Sequence, residues 1–319
     1  MIPLNDREHY LKVCETMRKT NIKQMLKLSK EPDPDGRYLL HEELGRAMPS
    51  EKVISELISF DSKRVSNINN EGSNSIHVAC QYIKSIEPSI FLTLLDIYPE
   101  GCAVVNNYGL LPIHKAVMNN CESKSSIRSL KMILGNYPEG LRIQNNQGQL
   151  PIHLALSIPK NPKTLVINIL IESYPDCLKI QDKFGHLPLH KICANKGATV
   201  DIILLILNSF RQGASYADIN GMTPLHWLVS RDNPNVESIK ELLKVFPMAV
   251  HISDGHNRKP IDIQKLRKSP CPMTCFLLLD KQREILNGKY DERVYEVHEI
   301  LGENSRPPTR DASVVEDQE

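Results

Sequence analysis

The 319-residue chain has almost no net charge, +1 at pH 7, and so presents no overall basic field to attract nucleic acid or an anionic membrane. It has no apolar run of about 18 residues or more, which excludes a membrane-crossing helix. The stretch from Met1 to Glu8 lacks the apolar core of a secretory signal. These absences read as an intracellular protein, expected in the cytoplasm with the nucleus left open. Also missing are a Walker loop, a dinucleotide fingerprint, a nucleophile elbow and an HExxH pair, so no catalytic motif stands out. The eight cysteines are scattered. Cys271 and Cys275 have no second pair at zinc-finger spacing, and reduced, buried thiols are expected in place of disulfides or a metal site. Tryptophan occurs once, at Trp227.

Repetition is what the chain has in quantity. A Gly, then Pro three residues on and His two beyond it, recurs at Gly109, Pro112 and His114, at Gly148, Pro151 and His153, at Gly185, Pro188 and His190, and at Gly221, Pro224 and His226. Weaker copies run from Gly36 to His41 and from Gly72 to His77, and a worn copy follows at Asn257, Pro260 and Asp262. The steps between His41, His77, His114, His153, His190 and His226 are 36, 37, 39, 37 and 36 residues. A period in this range signals a stacked array of one supersecondary unit. A second phrase keeps step: apolar helix-like runs end at Tyr98-Pro99, Tyr137-Pro138, Tyr174-Pro175 and Phe246-Pro247, while Phe210 lacks the Pro.

Each phrase has a physical job. Pro at the first helical position sacrifices no hydrogen bond and presets the backbone. Gly three residues earlier permits the positive φ of a tight turn. The histidines invite a metal or catalytic reading, but equivalent residues in neighbouring units lie about 8–10 Å apart, too far to share a zinc bound at about 2 Å. Their expected role is to bond loop backbone groups that stacking would bury.

Thr223-Pro224-Leu225-His226 is the signature tetrapeptide of ankyrin repeats, and from about residue 33 to 280 the chain resembles that family. Its repeats are longer than the usual length of about 33 residues, with the surplus between the helices, as from Ser157 to Pro162. Leu replaces Thr at positions 111, 150 and 187. The pattern is similar to a divergent long-repeat subfamily with a Tyr-Pro-Glu-Gly-type loop. The resemblance implies an all-α solenoid of about eight helical pairs with short inter-repeat hairpin fingers. Residues 1–32 are expected to form a degenerate capping repeat, 33–280 the array, 281–302 C-terminal capping helices and 303–319 a disordered tail.

In such a solenoid the concave face is lined by first helices and fingertips. The resemblance therefore implies a noncatalytic scaffold that holds a protein partner there, as a monomer without a cofactor, nucleic acid or membrane insertion. Candidate contacts are the residues after each His, namely Val78, Lys115, Leu154, Lys191 and Trp227, the fingertip aromatics Tyr108 and Phe184, and Arg231 as a further basic anchor. The competing expectation is a ligand- or calcium-responsive regulatory module using the acidic loop 31–42, because Glu31, Asp33, Asp35, Gly36 and Glu42 fall at positions 1, 3, 5, 6 and 12 of a calcium-loop template. Pro32 and Pro34 interrupt that loop, and Gly36 is already in register with the repeat.

Overall fold

The computed structural model describes residues 32–33, 35–119, 121–159 and 162–288. Residues 1–31 of the expected N-terminal capping repeat, the amphipathic segment from Tyr290 to Leu301 and the tail at 303–319 lie outside them. Within them the chain is helical throughout, with no strand among the described residues. Seven pairs follow one another: α1 Leu39–Leu44 with α2 Glu51–Phe60, α3 Ser75–Gln81 with α4 Pro88–Ile97, α5 Pro112–Met118 with α6 Lys124–Asn136, α7 Pro151–Leu156 with α8 Thr164–Ser173, α9 Pro188–Ala194 with α10 Val200–Ser209, α11 Pro224–Val229 with α12 Val236–Val245, and α13 Pro260–Lys265 with α14 Pro272–Leu286. First helices stack on first helices and second on second, as α3 on α5, α5 on α7 and α4 on α6.

The first helices are only one to two turns long and could not persist alone in water. Burial stabilises them. Ile113, Ile152, Leu189 and Leu225, each between the Pro and the His, are buried, as are Ala116, Ala155 and Cys193 beyond it. The second helices bury a narrow stripe in which two neighbouring residues recur one turn later, as Ile90, Phe91, Leu94 and Leu95, or Ile202, Ile203, Ile206 and Leu207. One face of a 3.6-residue helix requires that spacing.

The aromatic that follows α4, α6, α8, α10 and α12 stands where each of these helices stops. Tyr98, Tyr137, Tyr174, Phe210 and Phe246 take extended φ values between −140° and −150° and hand the chain to a one-turn 3₁₀ helix. Phe210 does so without a following Pro: Arg211–Ser215 forms the same turn, held by the Gly213 N–H donating to the Phe210 carbonyl at 3.2 Å. The extended residue, then, and not the Pro, ends the helix: Asp61 after α2 takes the same conformation, φ −154°, before the turn Ser62–Ser66.

Fingers follow. An Asn or Asp three residues before each Gly folds its Oδ1 onto two backbone N–H groups: Asn106 accepts from Tyr108 and Leu110, both at 3.0 Å, and Asp182 accepts from Phe184 and His186, both at 2.9 Å. Successive fingers are tied by one backbone bond each, Asn146 N–H to Tyr108 O at 3.1 Å and Ile219 N–H to Phe184 O at 3.1 Å among them. Gly109 sits at φ 71°, and a Cβ there would fall 2.7 Å from the Asn146 nitrogen, so both the turn and the next finger demand glycine.

His77, His153, His190 and His226 join their helix starts to the following repeat. Nδ1 of His114, His153 and His190 accepts the N–H of Leu111, Leu150 and Leu187 at 3.0, 3.2 and 3.0 Å. In its neutral form the ring then offers Nε2–H to the next repeat, as His153 to the His186 carbonyl at 3.1 Å and His190 to Tyr216 O at 3.1 Å. Only Thr223 adds a hydroxyl, 2.8 Å from His226 Nδ1. At the other end of the first helices, polar side chains from the next repeat cap the carbonyls: Asn195 Nδ2 donates to Leu156 O at 2.7 Å, and Gln264 donates to Val229 O.

Candidate interaction surface

The fingers and the exposed side of the first helices carry the residues singled out from sequence. Tyr108 stands 55% exposed on its finger, while its backbone is held by Asn106 and Asn146. Lys115 on α5 reaches back across the repeat boundary, with Nζ 3.5 Å from Gln81 Oε1 and 3.9 Å from Glu71 Oε2. Val78, expected on the open side, is buried among the core residues, and Leu154 is half-buried against them.

Phe184, Lys191 and Trp227 come together, and His186 is what joins them. Its ring lies 5.9 Å from Phe184 and 5.3 Å from Trp227, edge-on to the indole. Its Nδ1 is 3.3 Å from Asp182 Oδ2 and its Nε2 3.3 Å from Asp218 Oδ2, so it spans two adjacent fingers. Lys191 Nζ reaches the same Asp182 oxygen at 2.7 Å, and Trp227 Nε1–H donates to Asp218 Oδ2 at 2.9 Å. Both carboxylates use their other oxygen to shape their fingers.

Burial opposes the charge on His186, but the nearby carboxylates of Asp182 and Asp218 outweigh burial and raise its pKa above the ordinary value. Burial also opposes ionisation of Asp182, where the bonds from His186 and Lys191 prevail and hold its carboxyl well below the usual range. Asp218 is likewise lowered: His186 and Trp227 overcome its burial. The result is a linked set of two carboxylates, a lysine and a histidine, with the Phe184 and Trp227 rings against His186. None of these groups is an unengaged nucleophile.

Arg231 is placed elsewhere. It is 6% exposed, and its guanidinium donates to the Ile192 and Cys193 carbonyls at the end of α9, 2.5 and 2.6 Å away. Expected at the binding face, it instead caps the preceding repeat, because a first helix this short leaves carbonyls that something must satisfy. The contact surface proposed below leaves it out.

The acidic segment before α1 takes the finger pattern too. Asp33 Oδ1 accepts the Arg37 N–H at 2.7 Å, and Glu42 lies 3.4 Å from the Arg37 guanidinium. Asp33 Oδ2 is buried without a hydrogen-bond partner among the described residues, and residues 31 and 34 beside it are not among them. No group of three His, Cys, Asp or Glu side chains converges as metal ligands would among the described residues. Cys80, Cys102, Cys121, Cys177 and Cys193 are buried free thiols. Burial pushes Cys102 and Cys121 up to about 11, and Cys177 and Cys193 up to about 12, which makes them core residues and not reactive ones. No helix of the described residues is long and apolar enough to cross a membrane.

Sequence reasoning missed His186, Asp182 and Asp218. The acids leave a signal, since Asn69, Asn106, Asn145, Asp182, Asp218 and Asp254 each stand three residues before the turn position. His186 leaves none beyond its place after Gly185.

No protein-family model matches the chain, and no curated protein matches it. Solved structures do. The ankyrin repeat domain of human ASB11 is 18% identical with a TM-score of 0.58, covering 77% of this chain and 98% of that one. The ankyrin repeat domain of Bcl-3, described as a unique member of the IkappaB protein family, is 18% identical with a TM-score of 0.56, covering 78% of this chain and 99% of that one. The chain therefore has the ankyrin-repeat fold, an α solenoid.

Proposed function

We propose that the chain is a noncatalytic scaffold or adaptor that holds a partner protein along its fingers and first helices, the concave face of the stack. The observation that carries this reading is the preorganised cluster of Phe184, His186, Lys191 and Trp227. The Trp227 ring there is fixed by its bond to Asp218, and the Phe184 ring stands beside His186 on a finger whose backbone Asp182 holds, all in the free protein. Fixed aromatic side chains lose little entropy on binding, and aromatics dominate interface energetics. Tyr108 and Lys115 extend the same side toward α5. The calcium-responsive reading of residues 31–42 has less to stand on, because Asp33 does in its finger what Asn106 and Asp182 do in theirs.

The test is affinity capture from a lysate with the wild-type chain beside a Phe184→Ser/Lys191→Met/Trp227→Phe variant, followed by titration of the captured protein in purified form. The variant keeps a ring at 227 so that the fold survives, which far-UV circular dichroism checks. A partner bound at least tenfold more weakly by the variant, about 1.4 kcal/mol, supports the assignment. Equal binding by both chains sinks it.

A further inference from the structure

The second helices carry a surface of different chemistry. Successive second helices run side by side along the stack, and where the start of α8 faces α6 the surface holds a groove of 480 Å³. Its floor is apolar. Ile127 and Met132 of α6 lean partly into the core, and Leu165 at the start of α8 is left 57% exposed.

The α6 wall is cationic. Lys124, Arg128 and Lys131 line the groove at positions i, i+4 and i+7, one face of a helix. The 13 residues of α6 include no acid. On other second helices lysines find carboxylates close by, Lys240 with Glu237 at 3.3 Å and Lys281 with Glu284 at 2.9 Å. The three cations of α6 have no ion-pair partner among the described residues. Glu122, the acid at the rim, lies 3.4 Å from Lys163 instead.

We propose that this groove docks an acidic amphipathic helix from a partner protein, with aliphatic side chains on Ile127, Met132 and Leu165 and carboxylates against Lys124, Arg128 and Lys131. Charge complementarity selects an anionic occupant. The apolar floor selects among anions: a nucleic acid backbone would meet the three cations but leave Leu165 against water, whereas an amphipathic helix covers both. The site is separate from the Phe184–Trp227 surface, so the chain could bind two partners, or one partner at two points with an avidity gain.

The probe is a fluorescein-labelled peptide of about 14 residues built from Glu and Leu, with Leu at helical i, i+3, i+4, i+7 spacing, read by anisotropy against the full chain. Its counterpart carries Lys for every Glu, and a labelled oligonucleotide is the polyanion control. The variants are Lys124→Glu/Arg128→Glu/Lys131→Glu and Leu165→Ser, all at exposed positions, with the Gln triple replacing the Glu triple should circular dichroism show lost helix. The expected result is saturable binding of the Glu–Leu peptide, weakened at least about tenfold in each variant, weakened by salt, and unaffected by Phe184→Ser/Lys191→Met. No saturation by about 1 mM peptide, equal binding of the Lys–Leu peptide, or indifference to the charge-reversed triple overturns the proposal. Tighter binding of the oligonucleotide with no effect of Leu165→Ser also overturns it and marks a plain polyanion strip.

Discussion

His153 and His190 show how much one side chain carries. Each ring is almost wholly buried, accepts a backbone N–H at the helix start and reaches a carbonyl in the next repeat. Replacing either by Ala strands both groups where water does not enter, at a cost on the order of 1–3 kcal/mol. Urea unfolding of His153→Ala and His190→Ala is expected to show that loss, and a midpoint unchanged in both would mean that the rings are not structural linkers. Arg231 argues in the same terms. Read from the sequence it is a basic anchor for a partner; in the fold its charge is spent on two backbone carbonyls. No pattern in one sequence separates an exposed Arg from one that caps its neighbour, because the difference lies in how far the preceding first helix extends.

At the scale of the element, most of the architecture was legible. Pro, Gly and His at fixed offsets located the helix starts and turns, and the aromatic residues located the helix ends. Those roles are local, set by backbone conformation within a few residues. The finger clusters and the groove between α6 and α8 were not legible, because they depend on how repeats about 36 residues apart meet, where His186 reaches Asp218 or Leu165 faces α6. The two kinds of glycine make a prediction of opposite sign. Gly109→Ala puts a Cβ against the next finger at positive φ and is expected to destabilise by more than about 1 kcal/mol. Gly135, in the last turn of α6, has nothing within 4 Å of an added Cβ, and Gly135→Ala is expected to stabilise by about 0.5–1 kcal/mol through helix propensity. Thermal melts of the two variants beside the wild type measure both, and a Gly109→Ala chain as stable as the wild type would remove the finger ladder from the account.

For the whole molecule, the repeated histidine makes stability a function of pH. Burial lowers the pKa of His41, His77, His114, His153 and His190 to about 4, from an ordinary value of 6.5. Unfolded, these rings take up protons near pH 6.5; folded, they stay neutral until about pH 4. Between those values the unfolded state binds more protons, so stability is full above pH 6.5 and falls as the pH drops toward 4. At pH 5 the loss is about 2 kcal/mol per ring, against a total stability for folded proteins of about 5–15 kcal/mol. His186, with its raised pKa, works the other way: its contribution is present below 6.5 and is lost as the pH rises through its folded value. One ring of that kind cannot offset five. The urea midpoint is therefore expected to drop steeply between pH 6.5 and 5, ahead of any carboxylate titration, since the carboxyls of Asp182 and Asp218 are held below their ordinary range. A His190→Gln chain, one ring short, should show a shallower slope over the same interval. A midpoint that stays level from pH 7 to 5 would mean that the rings are solvated in the folded chain, and the stack would then need another account of how its repeats are joined.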